Sequence, residues 1–455
     1  MYIQKNNPLK ASLSLCALLL SCFNIATLSA DTQNQLTLEM AVNIAQKNDP
    51  WLVGNQHLQD SVNALSIAAD TLPDPKISIG LANIAADSLD FNQEAMTQYK
   101  VGLSQMFPRG DSLTIKRRQL ELVGSQFPFQ RANRKSKVKV MVSHLWLNAF
   151  KAQKSIALIE KDRALFEQLA DVAQASYSSA VGKTRQQDLV RAQLELTRLD
   201  DRLTMLKQQQ EMSQQKLSEW LSQPERDFNV QGFIIAPQLP NITLSHKQLF
   251  TSKNKILQNT LYQLFSNHPS VKSLDQKIKA SQTGIELAKQ KYKPEWGINA
   301  GYGARNKTPT GTERSDLFSI RVSFDIPLFT SNRQDKQVQS EISKASAVKT
   351  ERWLLIRKLM AQFETHRAQL NRLNERQELY QKRLLPQMHD QAEASLTAYT
   401  NDDGDFSEVV RSRISELNAR IDSLAINVER QKTIIQLNYF LINSHQTSSE
   451  IGDNQ

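Results

Sequence analysis

The chain has 455 residues, a formal net charge of +10 and 40% apolar residues, with only 14 glycines and 14 prolines. Gln, Arg, Leu, Ala and Ser dominate long stretches, which excludes one large globular core and fits extended amphipathic helices that bury a stripe. Both cysteines, Cys16 and Cys22, fall in the first thirty residues, so disulfides and cysteine metal sites are excluded from the remainder.

Residues 1–30 read as an export signal. Lys5 and Lys10 make a positive start, and Ala11 to Cys22 is an apolar run too short for a retained transmembrane helix. Two processing readings stand. Cleavage after Leu28-Ser29-Ala30 is one; the other is a lipobox at Leu19-Leu20-Ser21-Cys22, which would make Cys22 a lipid-bearing N-terminus. The segment holds two lysines and no acid, so cleavage lowers the net charge from +10 to +8. The remaining charges are spread through helical patterns with no basic block, which argues against nucleic acid as a partner.

Beyond the signal the chain repeats itself at an offset of 219 residues. Asn48-Asp49-Pro50 answers Asn267-His268-Pro269, Pro75 answers Pro294, and Pro108 answers Pro327. After one inserted residue, Asp188 to Arg191 (Asp-Leu-Val-Arg) answers Glu408 to Arg411 (Glu-Val-Val-Arg). The unit is domain-sized, so this is a duplication and not a solenoid array. Repeat 1 is placed at 31–221, an insert of mixed structure at 222–257, repeat 2 at 258–443, and a disordered polar tail at 444–455.

Each copy is expected to run helix, strand, loop, strand, long helix, tip, helix. Leu36 to Ala69 and Thr260 to Lys291 carry the opening helical pattern, ended by Pro75 and Pro294. The period then changes from 3.6 to 2. Strands are expected at about 76–84 and 97–107, and at about 295–304 and 316–328. Ile77, Ile79 and Leu81 alternate with Ser78, Gly80 and Ala82; Phe318, Ile320, Val322 and Phe324 alternate with Ser319, Arg321 and Ser323. One such hairpin would suit a half-buried pair in a soluble domain. Four such strands, each about nine to eleven residues long in an exported and otherwise helical chain, favour tilted membrane strands. On that parity Lys100, Arg321 and Asp325 point into a barrel lumen.

Pro108 and Pro327 close the strands and start long helices, the first interrupted by Gly124 and Pro128, where a kink or break is expected. Later, Leu189, Leu196, Leu203 and Leu217 recur in sevens beside Leu199, Leu206 and Trp220. Val410, Leu417 and Leu424 recur beside Ile414, Ile421, Val428 and Ile435, so antiparallel coiled packing is expected. The helix pairs turn at two polar tips, Val181-Gly182-Lys183-Thr184 and Asn401-Asp402-Asp403-Gly404-Asp405.

Leu36 to Ala41, Val101 to Pro108, Tyr292 to Trp296 and Val322 to Phe329 occur together and in order around this duplicated frame. In these stretches the chain resembles the TolC-like outer-membrane factor family, in particular its heavy-metal efflux branch. The resemblance covers essentially the whole mature chain. It implies an α+β membrane protein: a homotrimer in which four strands per protomer close a twelve-stranded β-barrel, continuing into a long antiparallel α-helical coiled-coil tunnel in the periplasm. It implies location in the outer membrane and partnership with a periplasmic adaptor and an inner-membrane resistance-nodulation-division (RND) pump. The two tips become adaptor-docking points through Val181, Gly182, Lys183, Thr184, Asn401 and Gly404.

The resemblance also places a periplasmic gate where the last helix of each repeat begins. The matching positions are Tyr399, Glu408 and Arg411, with Asp188 and Arg191 in the first copy. Arg411 stands where the family commonly has a second acid, which puts a ring of paired carboxylates in doubt. Asp402, Asp403 and Asp405 at the tip itself would supply a negative ring instead. The alternative is that they form a solvated turn and a helix N-cap.

The seven histidines are scattered with no His-x-x-x-His pair, and no phosphate loop or nucleophile elbow occurs. No cofactor and no enzymatic activity are therefore expected. The function expected is a passive exit duct for substrates, heavy-metal cations foremost. Drug efflux or type I protein secretion through the same duct remain alternatives, as does an exported coiled-coil scaffold without a pore.

Overall fold

The computed structural model describes residues 35–178, 185–222, 233–251, 257–401 and 403–442. The export signal with Cys22, the tip residues Val181 to Thr184, Asp402 and the tail lie outside the described residues, as do parts of the insert.

A two-residue strand β1 (Gln35–Leu36) leads into α1 (Leu38–Lys47), whose N-cap Thr37 accepts a hydrogen bond from the Met40 N–H at 3.2 Å. Then come α2 (Pro50–Ala68), β2 (Lys76–Ala82), β3 (Gln98–Phe107), α3 (Ser112–Gly124), α4 (Phe127–Ser178) and α5 (Gln186–Leu221). The insert contributes β4 (Ile234–Ile235), parallel to β1, and α6 (Gln248–Thr251). The second half runs α7 (Gln258–Ser266), α8 (Pro269–Lys289), β5 (Trp296–Ala304), β6 (Leu317–Phe324), α9 (Gln334–Leu379), α10 (Leu385–Thr400) and α11 (Phe406–Phe440).

The expected single opening helix of each half is in fact two. The chain breaks before Pro50 and before Pro269, because a proline suits the first helical position and biases its predecessor out of the helical region. The residue before each proline caps the new helix. Asp49 accepts from the Trp51 N–H at 3.1 Å, and His268 Nδ1 accepts from the Ser270 N–H at 3.3 Å. The same task is done by different chemistry. Asp49 is ion-paired to Arg134 at 2.7 Å, and that guanidinium also lies over the rings of Trp51 and Trp220. At the position 219 residues beyond Arg134 stands Trp353, and the neutral His268 instead places Nε2 3.2 Å from the Tyr439 carbonyl.

The long helices also break differently. In the first half α3 stops at Gly124 and α4 resumes at Phe127 with Pro128 in its first turn. The second half has Ser343 and Ala347 there, and α9 runs straight through. Its own irregularity comes later, a π-turn over Tyr380–Leu384 followed by Pro386 at the start of α10. At 52 residues, α4 is about 78 Å long.

Three apolar clusters hold the helices together. One centres on Trp146, stacked on Phe150 and donating its indole N–H to the Leu36 carbonyl at 2.8 Å, and thereby fixes β1 to α4. A second joins Ile159, Phe166 and Leu169 of α4 to Leu199 and Leu203 of α5 and to Val410, Leu417 and Ile421 of α11. The third packs Phe265, Phe363 and Phe440 edge to face. Of the leucines in the α5 heptads, Leu199, Leu203 and Leu217 are buried.

The sheet has the order β2-β3-β5-β6, all antiparallel, so the middle pairing joins the two halves of the chain. Two strands are shorter than their alternation suggests. β2 ends at Ala82 because Asn83 turns into the left-handed region at φ 56°, its side chain donating to the Met96 carbonyl at 3.2 Å. β6 ends at Phe324 instead of near 328, because Pro327 has no N–H to pair and the Leu328 N–H closes a tight turn onto the Ile326 carbonyl at 2.9 Å.

Candidate pore wall and entrance

The register sorts the sheet into two chemically distinct faces. On one lie the rows Ile77–Leu103–Ala300–Ile320, Ile79–Val101–Tyr302–Phe318 and Phe107–Trp296–Phe324. On the other lie Lys76–Ser104–Asn299–Arg321, Ser78–Gly102–Gly301–Ser319 and Gly80–Lys100–Gly303–Leu317. Among the described residues no element covers the apolar face: Ile79 is 83% and Phe318 69% exposed. Burying such side chains is worth roughly 1.5–3 kcal/mol each, so leaving the whole face in water would be strongly unfavourable. Immediately after β6, Leu328 and Phe329 extend the exposed apolar surface. Among the described residues no helix is long and apolar enough to cross a membrane.

The polar face is lined by small residues over which the long ones lie. A side chain on Gly303 would collide with the Gln98 carboxamide, and one on Gly301 would touch the Lys100 stem at 3.4 Å. Lys100 and Arg321 both lie on this face and are exposed. Asp325 is different. It follows the end of β6, accepts from the Glu295 N–H at 2.8 Å and is ion-paired to Arg109, so it is not an in-strand lumen residue. Arg109 also donates to the Lys293 carbonyl at 2.7 Å, and Lys293 pairs with Asp111 at 3.0 Å. This clasp ties the strand-to-helix junction of the first half to both junctions flanking the strands of the second. Sequence inspection missed it because its members are 184 and 216 residues apart.

At the second tip, the Asn401 N–H caps α10 by donating to Thr397 O at 3.1 Å, and the Asp403 N–H donates to Ala398 O at 2.9 Å. Gly404 passes so close to the end of α10 that an added Cβ would lie 2.6 Å from the Tyr399 nitrogen. Asp405 is the N-cap of α11, bonded to the Ser407 N–H at 3.3 Å and to its hydroxyl at 3.1 Å. Tyr399 packs into the hairpin seam against Phe406, with ring centroids 5.6 Å apart. Arg411 is exposed and Glu408 half-buried, and the two pair with each other at 2.9 Å, so their charges offset locally. In the first half, Asp188 is buried and accepts from the Arg185 N–H at 3.0 Å as a helix cap, while Arg191 is exposed. Of the acids at the second tip that are described, Asp403 alone is exposed without a capping or pairing role.

Gly404→Ala is expected to force the α10–α11 turn apart at a cost of about 1–3 kcal/mol. Gly54→Ala in α2 has nothing within 4 Å and should gain about 0.5–1 kcal/mol. Amide hydrogen exchange around residues 396–410 tests the first change and thermal unfolding the second.

About three turns into the helix, α11 carries a group that pattern reading passed over. Glu416 is almost fully buried, yet meets His389 at 2.9 Å, Arg413 at 3.1 Å and Arg420. Arg413 also pairs with Glu393 at 2.8 Å, and Arg420 lies 3.7 Å from Asp162 on α4. Burial opposes ionisation of Glu416, but the His389 hydrogen bond and the two guanidinium charges outweigh it and hold its pKa below the ordinary glutamate value. The available signal was Arg413, Glu416 and Arg420 at helical spacing beside the apolar seam. The corresponding positions in the first half are Gln193, Leu196 and Asp200, so the first hairpin has no equivalent of this network. Among the described residues no group of three or more His, Cys, Asp or Glu is placed to hold a metal ion.

No family model and no curated protein sequence matches the chain. Solved structures do. The structure of CusC described with transmembrane channel formation is 14% identical, with a TM-score of 0.70, covering 90% of this chain and 92% of that one. The outer-membrane channel OprN is 12% identical at a TM-score of 0.73, covering 90% of each chain. The Campylobacter jejuni CmeC outer membrane channel is 13% identical at 0.72, covering 91% of this chain and 88% of that one. At these identities the likeness establishes the fold, and it spans nearly the full length of both partners in each comparison.

Proposed function

We propose that the protein is the outer-membrane component of a tripartite efflux system, a passive duct with no enzymatic role. The observation that carries this reading is the uncovered apolar face of the four-stranded sheet, backed by a polar, glycine-lined face. In lipid the apolar face is satisfied, but the free backbone groups along the outer edges of β2 and β6 are not. Only closure with further copies pairs them. Three copies give the twelve-stranded barrel that the family resemblance implies, with the helical hairpins arranged below it as a periplasmic tunnel. The full-length fold shared with outer-membrane channels supports the same assembly.

Duplication has a physical rationale in this arrangement, because six similar hairpin units close a tube more evenly than three dissimilar ones. Gly404 and the tip around it are the proposed adaptor contact, together with the first tip. Asp402, Asp403 and Asp405 are the proposed entrance acids; Asp405 serves there only alongside its capping role. The resemblance to the metal branch extends the cargo to heavy-metal cations delivered by an RND pump. The tip acids favour that extension, and the charge of the sheet's polar face opposes it.

The test is electrical. Purified full-length protein reconstituted in planar bilayers is expected to show stepwise conductance. A protein that stays soluble, inserts into no bilayer and carries no current would refute the duct and leave the scaffold reading. In the same recordings, Asp402→Asn with Asp403→Asn is expected to reduce cation preference; unchanged selectivity would remove the acids from the gate.

A further inference from the structure

We propose that the polar face of the sheet gives the duct an anion-selecting lumen, so that anionic solutes are the small cargo its wall favours. This rests on the duct reading and adds to it the sign of the wall.

Three charged residues occur in β2, β3, β5 and β6, namely Lys76, Lys100 and Arg321. All three are cations, all three lie on the polar face, and all three are exposed. No strand residue is acidic, and none of the three has a salt-bridge partner among the described residues. Lys76 and Arg321 end the same cross-strand row, about 14 Å apart by strand spacing, and Lys100 lies about 13 Å further along the strands. These distances exceed the Debye length of about 8 Å at physiological salt, so one sheet in open water would be a weak field. A closed wall repeats the charges around a narrow aqueous bore bounded by low dielectric, which focuses their field. A potential of about one kT there enriches a univalent anion roughly threefold.

Of the acids flanking the strands, exposed Asp74 lies two residues before Lys76 and offsets part of this charge, while the others are held locally or lie beyond the strands. At the inner end Asp325 is held by Arg109 and the Glu295 N–H, with Glu295 itself 3.9 Å from Arg109. At the outer end Asp316 accepts from the Arg305 N–H at 3.0 Å and from the Tyr302 hydroxyl, and Glu313 pairs with Lys307 at 2.7 Å. Loop acids Asp87, Asp90 and Glu94 belong to the β2–β3 connection, beyond the strand span.

Reversal potentials under a KCl gradient test the inference on the full-length protein in planar bilayers. The tip acids act in series with the wall, so the informative quantity is the change between variants. Lys76→Gln with Lys100→Gln and Arg321→Gln is expected to lower the chloride-to-potassium permeability ratio on the order of threefold. Lys100→Glu with Arg321→Glu should lower it further; as the sites are exposed, both variants should assemble. Conducting pores with one reversal potential in all three proteins would overturn the inference and leave the duct standing. Absence of conductance in the unmodified protein would overturn the duct and the inference with it.

Discussion

Leu103→Arg is expected to destabilise the assembled protein by about 2–4 kcal/mol in a bilayer, whereas Ser319→Arg is expected to change stability little. Leu103 sits in the middle row of the apolar face, opposite Ile77 and Ala300 and in line with Ile320. If that face meets hydrocarbon, the guanidinium must be desolvated or must deform the bilayer to reach water. Ser319 lies on the opposite face in the glycine-rich row with Ser78, Gly102 and Gly301, where water and space are both available. Denaturant titration of vesicle-inserted protein measures the difference. Equal sensitivity at the two sites would mean that the faces are not divided between lipid and water.

A second large effect is expected from His268. Burial pushes its pKa down from the ordinary 6.5 to about 4, and the ring stays neutral with Nδ1 accepting from Ser270 and Nε2 donating to the Tyr439 carbonyl. Between pH 6.5 and about 4 the unfolded chain therefore binds a proton that the folded chain refuses. Stability falls as pH drops through that window, by about 1.4 kcal/mol per pH unit and on the order of 3 kcal/mol in all. Below about pH 4 the folded ring also protonates and the loss levels off. His268→Asn keeps a capping oxygen without a titrating group. Unfolding of detergent-solubilised protein at several pH values should show a shallower slope for the variant across this window. Asp49, the counterpart in the first half, is ion-paired to Arg134 instead.

Much of this architecture was legible because duplication and alternation are local signals. Pro75, Pro108, Pro294 and Pro327 bracket the strands, and the alternating parity of Ile77 to Leu81 and Phe318 to Phe324 is borne by the register itself. The heptads of α5 and α11 likewise mark buried seams at Leu203, Leu217, Leu417 and Val428. What escaped was any role set by a distant partner. Asp325 has the right parity for the lumen, but Arg109, 216 residues away, draws it into the junction clasp. Asp188 has the motif position of a gate acid, but a buried carboxylate three residues into a helix is satisfied most directly by the Arg185 N–H. Glu416 went unremarked because its environment is set by α10 and α4, which bring His389 and Asp162 to its side of α11.

The two halves differ where their helices are interrupted and where their charges are buried. The first half breaks near Gly124, close to the sheet, and the second at the π-turn over Tyr380–Leu384, directly before the hairpin that contains Glu416. The halves are alike in the strands, where the proposed closure would demand equivalent geometry. They diverge along the long helices, where packing alone sets the constraint.

The central claim is that β2 of one copy pairs with β6 of the next. Within one chain these strands lie at opposite edges of the sheet, about 14 Å apart, too far for a disulfide. The described residues contain no cysteine. Cysteines placed together at Ser78 and Ser319, with Lys76 and Arg321 as alternative partners to sample the register, therefore report only on contacts between copies. Mild oxidation of outer-membrane fractions is predicted to give covalent dimers and closed trimers that resist boiling in detergent. Monomer alone at every register, or cross-linked species confined to a soluble periplasmic fraction, would contradict the account.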